Sequence, residues 1–458
     1  MKITENKSNF GFMDPNNVKP SNIIKEGEGK LAVCVPTYER SEVIEELLSM
    51  CLGVYKKYNY DLYIYDSSRD CKTKDIVNKW QKLFSNLYYV RLPSDLHSNM
   101  KVYKIFQQYA MRKNYKYIWV CSDAIRFRED VLYNLSSLLD KDYDMIVVNY
   151  RDLNHVGTRC YKNKLHFFRD IAYHLTLYGA ALLKCDSMLS NVDWNYYIEK
   201  YNVPTRVNHS HLGFYFEKIL SMPDFTAYHV SVPVTTLYVS ALRPSSGWLK
   251  DTFYVWGICF PETIEVLPSY YNYYKKQVIK ESNVLGDIFN YNNMVRLRIL
   301  NIYTLDIFNE FKSKWENLTT LSEKTLYKIA TLPRFCLFNP PSFIKDMKIK
   351  KYLWHLKKFV KNKKELYIYG AGKIASYYAD YFDCFSIPYK GFIVTNKSNN
   401  PSEFMDHPVF ALDDVDLNQF GVGVVLALGR KNTEEVMSIP QLRKADDKVF
   451  FAFFNSGK

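Results

Sequence analysis

Leu31-Ala32-Val33-Cys34-Val35-Pro36-Thr37-Tyr38-Glu39-Arg40 decides how the chain is read. Its apolar run is too short for a helix and ends in Pro36 and a polar turn. Ser41 follows where it can cap a helix, whose apolar stripe is Ile44, Leu47, Leu48, Cys51 and Tyr55 at i, i+3, i+4 spacing. Glu42 and Glu45 fall in its first turn, which the positive end of a helix favours. A buried strand, a turn and an amphipathic helix open a parallel α/β sheet. Ligands bind such sheets at the carboxyl ends of the strands, here Pro36 to Arg40.

Further strand ends follow. Tyr60 to Tyr65 reads as a strand that stops in polar residues at Asp66, and a helix carrying Ile76, Trp80 and Phe84 comes after it. Leu87 to Leu92 is a third strand. Ser98 and Asn99 can cap a helix bearing Val102, Ile105, Phe106 and Tyr109. Tyr115 to Cys121 is a strand that stops at Ser122-Asp123. Strands alternating with helices at this spacing imply a doubly wound sheet. Beyond Asp130 come a short strand at 145–149, a turn at Gly179 and a helix opening at His209.

Three domains are expected: residues 1–270 as the first α/β domain, 271–364 as a helical connector broken by Pro333 and Pro340-Pro341, and 365–458 as a small second α/β domain. The 47% apolar fraction excludes general disorder. Nine scattered cysteines without a CxxC suggest neither a disulfide framework nor a zinc site, and read as reduced core residues of a cytoplasmic protein. Met1 to Pro20 lacks an apolar core of the signal-peptide kind, and no run is long enough to span a bilayer. A net charge of +13 suits an anionic partner, whether nucleic acid, membrane or phosphate. No nucleic-acid-binding module is recognisable beside it.

VPTYER, YDSS and VCSDA, three strand ends in order, resemble family-2 glycosyltransferases of the GT-A fold. Val35 to Arg40 corresponds to the family's opening strand end and Asp66 to the acid closing its second strand. Cys121-Ser-Asp-Ala-Ile125 stands at the DxD position with one carboxylate, and resembles the W-x-x-G-D-D variant of enzymes building bacterial surface polysaccharides, with its second Asp missing. The resemblance implies an inverting transfer from a nucleotide-sugar, a UDP-sugar by preference, to a glycan or lipid-linked glycan on the cytoplasmic side of a bacterial membrane. It implies a donor site of Pro36, Thr37, Tyr38, Glu39, Arg40, Asp66, Ser67, Ser122 and Asp123, with Asp66 accepting the uracil imide N–H. It also implies Mg²⁺ or Mn²⁺ on Asp123, with Arg126 or Arg128 as cationic substitutes if transfer proves metal-independent. Asp193, His209, His211 and Glu217 are the candidates for the base, though no Glu-Asp pair is present, and His229 is a further candidate ligand. The rival reading is an idle GT-A scaffold that partners an active transferase.

Two later stretches stand apart. Asp346 to Glu365 predicts a basic amphipathic helix with Ile349, Leu353, Leu356 and Val360 on one face, able to lie on an anionic membrane or to pack between domains with its basic face solvated. Gly370-Ala-Gly372-Lys373 sits between a strand and a helix in the dinucleotide-fingerprint context. The next strand ends at Val394-Thr-Asn396 without a ribose-binding acid, which argues against NAD and leaves a phosphate or other anion. The domain resembles nucleotide-binding-type domains of sugar-modifying enzymes, with a role in assembly, such as a homo-oligomer, or in regulation.

Overall fold

The computed structural model describes residues 29–96, 98–111, 114–127, 129–148, 156–231, 237–239, 249–333, 343–398 and 400–452. Met1 to Pro20, Arg128 and Pro340-Pro341 lie outside them. The chain divides into two compact units. One runs to Asn290 and takes in Lys314–Thr320; the other holds Tyr291–Ser313 and the residues from Leu321 onward. Helices of the stretch 271–364 therefore contribute to both.

In the first unit, β1 (Gly29–Thr37), α1 (Ser41–Lys57), β2 (Asp61–Asp66), α2 (Lys72–Gln81), β3 (Leu87–Arg91), α3 (Ser98–Met111) and β4 (Tyr115–Val120) alternate. Then come β5 (Ile125–Phe127), α4 (Glu129–Leu138), β6 (Met145–Val148), β7 (Arg159–Tyr161), α5 (Lys164–Ile171), β8 (Ala181–Lys184), α6 (Trp194–Tyr201), α7 (Ser210–Ser221), β9 (Ala227–Val230) and β10 (Leu237–Val239). Eight strands form one sheet in the order β3-β2-β1-β4-β8-β6-β9-β7, while β5 and β10 pair separately. Strands β3, β2, β1 and β4 are parallel. Leu31 to Val35 is buried because β1 is flanked by a strand on each side and covered on both faces, which explains its unbroken apolar run.

The chain winds from β1 outward through β2 to β3, then returns to the other side of β1 with β4. That reversal makes the carboxyl ends of β1 and β4 a topological switch point, the place where open α/β sheets bind their ligands. Registration aligns Thr37 with Asp66, and Asp66 with Arg91, across three neighbouring strands.

Two helix starts differ from expectation. Arg40, not Ser41, is the N-cap of α1 and makes no side-chain capping bond. Asn99 lies inside α3, where its side chain donates to the Val207 carbonyl and accepts from the Tyr178 hydroxyl. The Asn99 side chain is thus used across the fold instead of along the helix.

The second unit carries β11 (Glu365–Tyr369), β12 (Gly391–Val394), β13 (Glu403–Phe404), β14 (His407–Ala411), β15 (Val422–Leu426) and β16 (Val449–Phe451) in the order β13-β14-β12-β11-β15-β16. All but β13 run parallel to their neighbours. Helix Phe343–Lys361 belongs to this unit. Tyr352 and Leu356 are buried in the unit's core beside Leu366, Ile368 and Phe382, with Leu353, Phe359 and Val360 packed against it. Leu353, Leu356 and Val360 of the expected stripe are thereby spent on the protein's own core, as the packing alternative implies. Trp354, 59% exposed, remains outside. Among the described residues no helix is long and apolar enough to cross a membrane.

Candidate active site

The residues at the strand ends form two connected networks. In the first, the Thr37 hydroxyl donates to Asp123 Oδ2 at 2.9 Å, across the switch point between β1 and β4. Arg40 Nη1 donates to Asp123 Oδ1 at 3.0 Å. Asp123 is buried, whereas the Arg40 side chain is 37% exposed. Arg126 is also buried, and it donates to the Asp123 and Val43 carbonyls and to Glu46. It ties the 123 turn to α1. Burial and these partners remove Arg126 as a phosphate-binding substitute.

The second network centres on Asp66, which is fully buried. Its Oδ1 accepts from the Ser68 backbone N–H at 2.8 Å and from the Ser68 hydroxyl. Its Oδ2 accepts from the Tyr89 hydroxyl at 2.8 Å and from Arg91 Nη1 at 3.1 Å. A carboxylate offers about four acceptor positions, so none is left for a uracil imide. In this arrangement Asp66 shapes the turn and holds Arg91. Ser68 in turn accepts from the Glu39 N–H at 2.7 Å. That bond holds Glu39 at φ 50, a left-handed conformation unusual for a residue with a side chain. Ser67 donates from its N–H to the Thr37 carbonyl at 3.2 Å. Pro36 and Tyr38 are half-buried beside these groups, and Ser122 Oγ accepts from the Ala124 N–H at 3.3 Å.

Sequence reasoning missed Lys101. It belongs to α3, and only 5% of it is exposed. Its ammonium donates to the Thr37 carbonyl at 3.3 Å, at the long end of the usual range, and sits 5.2 Å from the centre of the Tyr38 ring. Burial lowers its pKa to about 8, although the carboxylates of Asp66 and Asp123 oppose that shift. The available signal was its position one turn before Ile105 and two before Tyr109, in line with the buried stripe of an amphipathic helix.

The candidate bases separate. Asp193 caps α6, accepting from the Tyr196 N–H at 3.2 Å, and is exposed. Glu217 is clasped by Tyr196, Lys200 and Tyr201 of α6, which makes it a packing link between α6 and α7. These engagements remove both as free bases. His209 is buried against Trp256 and Phe260, and burial pushes its pKa down to about 3. His211 lies 2.8 Å through Nε2 from the Leu175 carbonyl, so this nitrogen carries the proton. Among the described residues its Nδ1 has no hydrogen-bond partner, and burial lowers its pKa to about 4. Its ring lies 4.9 Å from Tyr178, which bonds Asn99 in the first turn of α3, so it connects toward the strand ends.

A hard divalent cation needs about six oxygen ligands, normally more than one from carboxylates when the protein holds it. Asp123 is a single carboxylate with Thr37 on one oxygen and Arg40 on the other. His229 is engaged through Nδ1 with the Gly157 carbonyl, at 2.7 Å. Among the described residues no three His, Cys, Asp or Glu side chains come together as a metal site. Without substrate phosphates to complete it, this donor set does not fit a resident Mg²⁺ or Mn²⁺.

Residues 32–195 match the model of glycosyl transferase family 2, a span containing β1 to β4, both networks and Lys101. This segment is a family-2 glycosyltransferase domain. The first unit's large sheet is mixed parallel and antiparallel, and a second sheet lies in the C-terminal region. A structure of a 1–349 fragment of Staphylococcus aureus TarS is similar at TM-score 0.38 and 14% identity, covering 72% of this chain and 91% of that one. Pyrobaculum calidifontis mannosyltransferase PcManGT, solved with GDP-Man and Mn²⁺, is similar at TM-score 0.34 and 13% identity over 64% of this chain and 80% of that one. Glucosyl-3-phosphoglycerate synthase from Mycobacterium tuberculosis, solved with Mn²⁺, UDP and glucosyl-3-phosphoglycerate, gives TM-score 0.30 and 11% identity over 48% and 74%. Comparison with curated proteins finds no match.

In the second unit, Gly370 has φ +109, and a Cβ there would meet Leu428 Cδ2 at 3.1 Å, so the β11 turn needs glycine for conformation and close packing. Gly372 caps helix Lys373–Cys384, and a Cβ on it would meet nothing within 4 Å.

Proposed function

We propose that the transferase domain moves a sugar from a nucleotide-sugar, a UDP-sugar first among candidates, to a glycan or lipid-linked glycan of a bacterial surface polymer. The observation that carries this reading is the meeting of Thr37, Arg40, Asp123 and Lys101 at adjoining strand ends of the switch point. Asp66 and Arg91 form a neutral pair beside it, so Arg40, Lys101 and Asp123 sum to one positive charge. A site of that sign suits a diphosphate.

In the transfer, the acceptor hydroxyl oxygen bonds to the anomeric carbon as that carbon's bond to the diphosphate oxygen breaks. The electron pair leaves on the nucleoside diphosphate, and the hydroxyl proton passes to a base. His211, neutral at pH 7 and with no hydrogen-bond partner on Nδ1 among the described residues, is our choice for the base among the sequence candidates. The backbone at Pro36 to Tyr38 and the Ser67–Ser68 turn would bound the nucleotide. The second unit is proposed as an assembly or regulatory module, with the open turn at Gly370, Gly372 and Lys373 as a seat for an anion.

The single carboxylate favours one rival, a scaffold that binds donor without turnover. Incubating the full chain with a panel of nucleotide-sugars and assaying released nucleoside diphosphate tests both. Release from one donor, lost in Asp123→Ala, supports the transferase. Binding without release in the presence of cell-envelope glycan acceptors supports the scaffold.

A further inference from the structure

The charge at the switch point has the wrong sign for a dication. A metal at Asp123 would have to take Oδ1 from Arg40 and would sit beside a buried ammonium, while the neighbouring carboxylate, Asp66, is already paired with Arg91. The same groups are well arranged for an anion. Lys101 has three N–H donors and uses one, in a long bond to a carbonyl that Ser67 also occupies through its N–H and hydroxyl. Arg40 has five donors and bonds Asp123 through Nη1 alone, with its guanidinium partly open to solvent. Asp123 and the Thr37 hydroxyl hold the Arg40 end of this pair in place, and Tyr38 covers the Lys101 end.

We infer that Arg40 and Lys101 supply the positive charge that binds and neutralises the leaving diphosphate, so that donor binding and transfer proceed without a divalent cation. The inference rests on the nucleotide-sugar reading. As the bond from the anomeric carbon to the diphosphate oxygen breaks, negative charge grows on that oxygen. Fixed cations stabilise it most at that moment, and they need no reorganisation. Arg40 presents a planar fork to two phosphate oxygens, and Lys101 a point charge from beneath. The missing second Asp then follows from the chemistry: with two protein cations at the site, another carboxylate would cancel the charge the diphosphate needs.

The test is calorimetric titration of the full chain with UDP, GDP and their nucleosides, in EDTA and in Mn²⁺. For the diphosphate that binds, the expected result is binding in EDTA, with less than a threefold gain on adding Mn²⁺. Lys101→Met should weaken that diphosphate at least tenfold in EDTA while leaving the matching nucleoside unchanged. Arg40→Gln, at a partly exposed site, should do the same to a lesser extent and guards against a misfolded Lys101 variant. Binding that requires Mn²⁺, or variants that keep the wild-type preference of diphosphate over nucleoside, would overturn the inference and leave the nucleotide-sugar reading standing. Failure of every diphosphate to bind the wild type under either condition would overturn both.

Discussion

Asp66→Asn separates a structural carboxylate from a nucleotide-reading one. The substitution keeps the shape and the oxygen that accepts two bonds from Ser68. It replaces Oδ2 with an NH₂ group facing the Tyr89 hydroxyl and Arg91. Tyr89 can reverse its role and accept, but Arg91 cannot, so one guanidinium loses its counter-charge. Breaking a buried ion pair from one side costs about 3–5 kcal/mol. Arg91 is 33% exposed, so water recovers part of this and about 2–3 kcal/mol remains. Because the chain holds two compact units, the appropriate readout is hydrogen–deuterium exchange resolved to β1, β2 and β3, not one melting curve. Protection there should fall roughly 30- to 150-fold, at about 1.4 kcal/mol per decade. The reasoning is refuted if exchange is unchanged while nucleotide affinity drops, since Asp66 would then face the ligand and not Arg91.

Two further outcomes follow from the same site. Lys101 has a pKa lowered to about 8 in the fold, against about 10.5 when unfolded, so the unfolded chain holds more protons between those values. Stability of the free protein should therefore rise from pH 8 toward 10.5, with the full cost of the buried charge present below pH 8. Diphosphate affinity should fall over the same window, because the ligand needs the ammonium. Asp66, Asp123 and Arg40 are the charged groups facing Lys101, and both trends should vanish in Lys101→Met, measured as the wild-type-minus-variant difference in denaturation and calorimetry. Arg126→Met leaves two carbonyls and Glu46 without their guanidinium and should destabilise the α1–β5 region by about 3–5 kcal/mol, read by exchange in α1. No loss of protection there would show that the 123 turn holds without it.

The sequence by itself determined the alternating α/β order, because apolar runs of strand length and stripes of helical spacing are local patterns. It also determined which strand ends carry polar groups, and Thr37, Arg40 and Asp123 do meet as their order implied. What each polar group does there was decided only by the tertiary structure. Arg91 reaches Asp66 because β2 and β3 align those two residues, and strand register is a pairing between distant segments that neither segment encodes alone. Lys101 joins the site because α3 lays that side of the helix against Thr37, a contact between distant segments. The basic helix Phe343–Lys361 looked equally suited to a lipid surface or a protein core, and the choice fell to Leu366, Ile368 and Phe382, which supply an apolar partner within the chain. Amphipathic spacing specifies that a face will be buried. What buries it depends on the surface that folding brings opposite.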